Sequence, residues 1–155
     1  VSQKFIVITD DEQVLLEDYN GYEGKRALTG GIFEHFFSQD VNLNGKNDVQ
    51  IDFWCNEEFL YLDEYQKLNA LASIISGDVI YGPAVLDVLD DPYEGTNRGF
   101  TEKEAAHLKT ILEVTAKINQ GMLKKMHEQY DYNKPEPRFE VTDWKLKPEK
   151  DDFER

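Results

Sequence analysis

The sequence predicts an α+β fold, a mostly antiparallel sheet of five or six strands with one short helix and one long C-terminal helix. Three observations lead there. Val49, Ile51, Phe53 and Cys55 alternate with Gln50, Asp52 and Trp54, the period of a half-buried strand. Short β-branched and aromatic segments recur along the N-terminal two-thirds, separated by Gly30-Gly31, Asn44-Gly45 and Gly82-Pro83, which are turn and strand-breaking signals. After Thr101-Glu102-Lys103-Glu104, a capping box, an apolar stripe of helical spacing runs to about Tyr130. A chain of 155 residues fits one domain with a core of its own. Residues 1–130 are assigned to that domain, and residues 131–155 to an extended, partly disordered tail.

Taken in order, Lys4 to Thr9 is β-branched and aromatic and opens the sheet. Asp10-Asp11 turns the chain, and Val14-Leu15-Leu16 returns it. Gly24 to Leu28 suits one helical turn, stopped by Gly30-Gly31, where glycine tolerates positive φ. Ile32 to Ser38 reads as a strand, and Asn44-Gly45 as a hairpin tip. The Gln50, Asp52 and Trp54 face of the next strand mixes polar and aromatic groups, so it is expected to be partly covered. Phe59 to Leu62 is a short strand or turn. Asp63 to Ile75 is the short helix, with Leu68, Leu71, Ala72 and Ile75 on one stripe and Gly77 as its stop. Val79 to Tyr81 and Ala84 to Leu89 are strands interrupted at Gly82-Pro83, and Asp90 to Gly99 is a loop. The long helix carries Ala105, Leu108, Leu112, Thr115, Ile118, Met122 and Met126, widened by Ile111 and Leu123. A bend or break is expected at Gly121. Arg138 to Leu146 alternates well enough to add an edge strand.

Charge is the strongest compositional signal. The net charge is −14, and residues 1–98 hold 19 acidic and 6 basic side chains against 12 and 11 in residues 99–155. Such a field repels nucleic acid and anionic membranes and attracts basic protein surfaces. Three clusters are the candidate contact residues: Asp10, Asp11, Glu12, Glu17 and Asp18; Glu57, Glu58, Asp63 and Glu64; Asp87, Asp90, Asp91 and Glu94. Carboxylates mounted on a rigid sheet can imitate duplex phosphates and occupy a basic nucleic-acid channel. The alternative is a solubilising surface. The lone Cys55 points to a reducing compartment. With no secretory pattern at Val1 to Glu12 and no apolar run of membrane-spanning length, a soluble cytoplasmic protein is expected.

One local pattern resembles a metal loop. Asp40, Asn42, Asn44 and Asp48 fill positions 1, 3, 5 and 9 of a calcium loop, Gly45 fills position 6, and the Lys46 carbonyl falls at position 7. Asn47 at position 8, Ile51 at position 12 and strand-like flanks depart from a full helix–loop–helix site. A hairpin tip rich in turn-forming residues explains the same string. His35, His107 and His127 are scattered and lack zinc spacing. No phosphate loop, dinucleotide fingerprint or nucleophile motif is found, so no cofactor and no enzymatic activity is assigned. The long helix offers a homodimer surface.

Leu28-Thr29-Gly30-Gly31-Ile32-Phe33-Glu34, Asn56-Glu57-Glu58, Leu68-Asn69-Ala70-Leu71-Ala72, Gly77-Asp78-Val79, Gly82-Pro83-Ala84-Val85 and Gly99-Phe100-Thr101-Glu102 follow one another in this order. Over residues 4–112 the chain resembles a small domain of unknown function from bacterial phages, plasmids and other mobile elements. Phe59 departs from the glycine that such sequences place after Asn-Glu-Glu. The resemblance carries no catalytic residues. It implies a mobile-element accessory protein, a setting in which acidic proteins block nucleic-acid-handling enzymes. The expectation is therefore a non-enzymatic acidic binding protein with a basic protein partner.

Overall fold

The computed structural model describes residues 2–58 and 67–131. Its architecture is α+β, with elements in the order β1 (Lys4–Ile8), β2 (Val14–Asp18), α1 (Gly21–Thr29), β3 (Phe33–Asn42), β4 (Asp48–Asn56), α2 (Ala70–Ser76), β5 (Ala84–Asp91), β6 (Thr96–Arg98), α3 (Glu102–Ile118) and α4 (Gln120–Tyr130). All pairings are antiparallel, in the order β2-β1-β5-β4-β3. Val88 pairs with Ile51 of β4 and also with Arg98 of β6, so β6 lies along the β1 edge of β5.

Strand alternation divides the core between two faces. Ile6, Ile8, Ile51, Phe53, Cys55, Leu86 and Val88 project to one face, where Leu71, Leu108, Leu112 and Leu123 of α2, α3 and α4 close over them. Each such side chain contributes about 1.5–3 kcal/mol when fully buried. The opposite face carries a smaller cluster, Phe5, Val7 and Val85, packed against Tyr19 and Leu28. α1 packs on part of that face, against β3, β4 and β5.

Helix termini follow local chemistry. Gly30 ends α1 at φ 86°, the left-handed conformation that a Cβ disfavours. Thr101 and Glu104 form the expected capping box on α3. The expected long helix is two helices, and the break falls at Asn119 rather than Gly121. The Asn119 amide donates to the Thr115 carbonyl at 2.8 Å, satisfying a group that a helix end leaves open.

Other boundaries also move. The short helix begins at Ala70, because Asn69 accepts from the Ala72 amide and caps it there. A second short helix, α1, spans nine residues where one turn was expected. Val79 to Tyr81 forms only a bridge, Leu68 to Tyr81. The supposed loop after Asp90 contains β6. The expectations for Phe59 to Leu62, for the start of the helix at Asp63 and for the tail after Asp131 lie outside the described residues. Among the described residues, no helix is long and apolar enough to cross a membrane.

Candidate functional site

The registers place the acidic candidates at both ends of the sheet. Asp10, Asp11 and Glu12 form the β1–β2 turn at one end, where Glu57 and Glu58 also leave β4. Glu17 and Asp18 close β2 at the other end, where Asp90 and Asp91 end β5 and Glu94 lies in the β5–β6 turn. Asp40 and Asp48, from the proposed calcium loop, flank the β3–β4 hairpin at that second end. From β2 to β3 is four strand spacings, about 19 Å, and the strand residues of this set spread over four residue steps, about 13 Å, with Glu94 beyond them in the turn. They form an acidic rim. Asp63 and Glu64 lie outside the described residues.

The rim is only partly neutralised. Lys4 meets Asp18 at 2.6 Å. Arg98 grips Glu104 with two contacts of 2.8 and 3.1 Å and approaches Asp90 at 3.7 Å. Among the described residues, Glu17, Asp40, Asp48, Asp91 and Glu94 take part in no ion pair. At the far end, Lys67 pairs with Asp11. Burial, and then the neighbouring Asp11, pushes the Asp10 carboxyl above its usual range.

Asp87 does not belong to any surface cluster. It is fully buried, with Lys25 of α1 at 2.8 Å from Oδ2. Its Oδ1 accepts from Trp54 Nε1 at 2.8 Å and from Asn97 Nδ2 at 2.9 Å. The reason is topological: position 87 alternates with Leu86 and Val88 and so faces α1, inside the sheet's second layer. Asp52 stands directly opposite Asp87 on β4. Asn97 donates to Asp52 as well, also at 2.9 Å, so one amide clasps two carboxylates that would otherwise repel. Ser38 at 2.8 Å and Gln50 at 3.0 Å complete the Asp52 set. Lys25 also sits 3.8 Å from the centre of the Trp54 ring.

The two carboxyls are driven apart. Burial raises Asp87, and Lys25, Trp54 and Asn97 offset it only in part. Burial acts on Asp52 too, but donation from Gln50, Asn97 and Ser38 outweighs it and holds Asp52 below its usual range. Such divergence accompanies acid–base pairs in active sites. Here three of the four carboxyl oxygens accept hydrogen bonds, and the fourth, Asp87 Oδ2, faces the Lys25 ammonium as an ion pair without a further hydrogen bond among the described residues; the geometry is that of a structural keystone. His35, Ser38 and Asp52 also meet, with His35 Nε2 at 2.6 Å from the Ser38 hydroxyl. The hydroxyl lies between the ring and the carboxylate and donates to Asp52, the reverse of the order that activates a serine through histidine.

In the hairpin, Asn42 Oδ1 accepts from the Gly45 amide at 2.7 Å, and Asn44 Oδ1 accepts from Lys46 and Asn47 at 2.8 and 3.1 Å. The two amide oxygens close the turn on itself. Among the described residues, no group of three or more His, Cys, Asp or Glu is arranged to hold a metal ion.

A cleft of about 580 Å³ opens between the β1–β2 turn and α3–α4, lined in part by Glu12, Lys67, Lys117, Lys124, His127 and Asp131. Within it, His127 is held between two carboxylates: Nε2 at 2.6 Å from Glu12, and Nδ1 at 2.9 Å from Asp131. Sequence reasoning missed this triad because Glu12 lies far along the chain from His127 and Asp131, which stand one helical turn apart. It also missed Lys25, Asp52 and Asn97, although an aspartate inside Ala-Val-Leu-Asp-Val-Leu was a legible sign of a buried ion pair.

No family model, curated protein or solved structure matches the chain.

Proposed function

We propose that the protein is a non-enzymatic acidic binding protein that engages a basic, nucleic-acid-handling protein in the cytoplasm. The observation that carries this reading is the rim of unpaired carboxylates at Glu17, Asp40, Asp48, Asp91 and Glu94 on one end of a rigid sheet. A row of about 19 Å matches the rise of roughly five to six base pairs of duplex. The resemblance to mobile-element domains supports the same setting, in which blocking a host nucleic-acid enzyme is useful.

Capture from nuclease-treated lysate tests the reading, with elution along a salt gradient. A basic nucleic-acid-handling protein that elutes at moderate salt is expected, because charge-driven association weakens with screening. The variant carrying Asp40→Asn, Asp48→Asn and Glu94→Gln should fail to hold it. Equal recovery on both columns, or no such protein on either, overturns the proposal.

A specific observation favours a second role, self-association. Ile111, Val114, Ile118 and Met122 are 37%, 49%, 76% and 53% exposed, and their spacing aligns them on one flank of α3–α4. Residues 102–131 carry five acidic and five basic side chains, so two copies can meet there without the repulsion that the acidic sheet imposes. Light scattering that returns twice the 18.0 kDa monomer mass supports this role, and monomer mass at high concentration removes it.

A further inference from the structure

Among the described residues, α4 is lightly anchored. It buries one side chain, Leu123, and rests Met126 and Tyr130 half-buried on the core. Elements with so few apolar contacts open at a fraction of the global unfolding cost. Polar contacts at its C-terminal end supply much of the remaining attachment. Asp131 accepts from the Leu68 amide at 2.8 Å, at the approach to α2, and from His127. Tyr81 donates its hydroxyl to the Tyr130 carbonyl at 2.9 Å. His127 reaches across to Glu12 in the β1–β2 turn.

The turn is shaped for that contact. Glu12 has φ 63°, the one non-glycine residue with positive φ among the described residues. A glycine would adopt this conformation without strain. The chain instead places a carboxylate there, and that carboxylate lies 2.6 Å from the imidazole.

We infer that His127 is a proton-operated latch: the protonated ring fastens α4 to the β1–β2 turn and to the approach to α2, and loss of the proton frees α4 from that end of the sheet. An imidazolium has two N–H donors, one for each carboxylate. A neutral ring has one, so one carboxylate must then face a nitrogen lone pair. The charged surroundings favour the latched form: Asp10, Asp11 and Glu12 from the turn, and Glu128 and Asp131 from α4, against Lys67 before α2, Lys117 of α3 and Lys124 of α4. Burial lowers the histidine, but Asp131 and Glu12 together overcome it, and the ring titrates above its ordinary value.

The sign follows. With the folded-state value raised, the latch is fully present below the unfolded histidine value, provided both carboxylates stay ionised. It is lost as pH rises through the folded-state value. Opening uncovers Leu123, Met126 and Tyr130 beside the cleft, so binding at this end of the molecule becomes pH-dependent.

Amide hydrogen exchange on the full chain, read as protection factors between about pH 6 and pH 9, tests the latch. Protection over Leu123 to Tyr130 is expected to fall several-fold across this range, while Leu108 and Leu112 in α3 hold theirs. His127→Gln should give low α4 protection at every pH, and the His127 ring signal should titrate above the free value. Glu12→Gly, which removes the carboxylate and relieves the turn, should lower that titration midpoint without loss of fold. Constant α4 protection in the native chain, an unshifted midpoint, or wild-type pH dependence in His127→Gln each overturns the inference.

Discussion

Replacing Lys25 with methionine removes the cation that faces Asp87 while keeping most of the side-chain volume. Lys25 is 6% exposed and Asp87 is fully buried, and their charged atoms are 2.8 Å apart. Two neutral donors, Trp54 and Asn97, remain on the other oxygen. Stranding one member of a buried pair costs about 3–5 kcal/mol. For a chain of this size that lowers Tm by roughly 6–20 °C. Asp87 is already raised, chiefly by burial, and loses its main offset in the variant, so it rises further. An acid raised in the folded state stabilises below its unfolded value and loses that contribution as pH climbs through the folded value. The deficit is therefore full near neutrality and shrinks as pH falls. Adding Asp87→Asn, which keeps an acceptor for Trp54 and Asn97, should recover roughly half of it. The assay is denaturant unfolding of the four members of the double-mutant cycle at neutral and acidic pH. A Lys25→Met variant within about 0.5 kcal/mol of wild type, with no pH dependence, refutes the keystone argument.

Three shorter predictions accompany it. At Gly99 a Cβ would meet Tyr19 Cβ and Cγ at 2.7 Å and Gln3 Cβ at 2.8 Å, so Gly99→Ala should cost about 1–3 kcal/mol; an unchanged melting curve would show that β1 and β2 yield there freely. Cys55 is fully buried, and burial, followed by Glu34 and Asp78, pushes its thiol up to about 12. It should react with a disulfide reagent only as fast as the chain unfolds, and rapid native labelling would contradict the packing around it. Because Asn42 and Asn44 already hold the hairpin amides, millimolar calcium is expected to leave the Gly45, Lys46 and Asn47 amide resonances in place. Movement of these signals together would restore the calcium reading.

Elements were legible where a local rule set them. The capping box at Thr101 and the glycine stop of α1 follow from near neighbours, and the alternation from Val49 to Cys55 shows which β4 side chains reach the main core. What was not legible depended on which strands become neighbours. Thr96–Arg98 is too short and polar to announce a strand, yet pairing with β5 turns Asn97 toward two carboxylates. Asp87 looked like one more member of an acidic cluster until register placed it opposite Asp52 and under Lys25. Asn119 broke the long helix because an asparagine amide can satisfy a carbonyl one turn back, an option that propensity at Gly121 alone does not weigh.

The rim permits one test that separates function from architecture. Excess like charge destabilises a compact state by self-repulsion, and four of the six cations in residues 1–98, Lys4, Lys25, Lys67 and Arg98, are already drawn into ion pairs. Among the described residues, Asp40, Asp48 and Glu94 take part in no ion pair. Neutralising all three by Asp40→Asn, Asp48→Asn and Glu94→Gln should leave Tm within about 6 °C of wild type, or raise it, since exposed substitutions usually change stability by less than about 0.5 kcal/mol each. The same variant should lose the basic partner proposed above. Residues kept at the expense of stability are the signature of a binding surface. If the triple variant melts well below wild type, these carboxylates are structural, and the rim ceases to be the place where a partner binds.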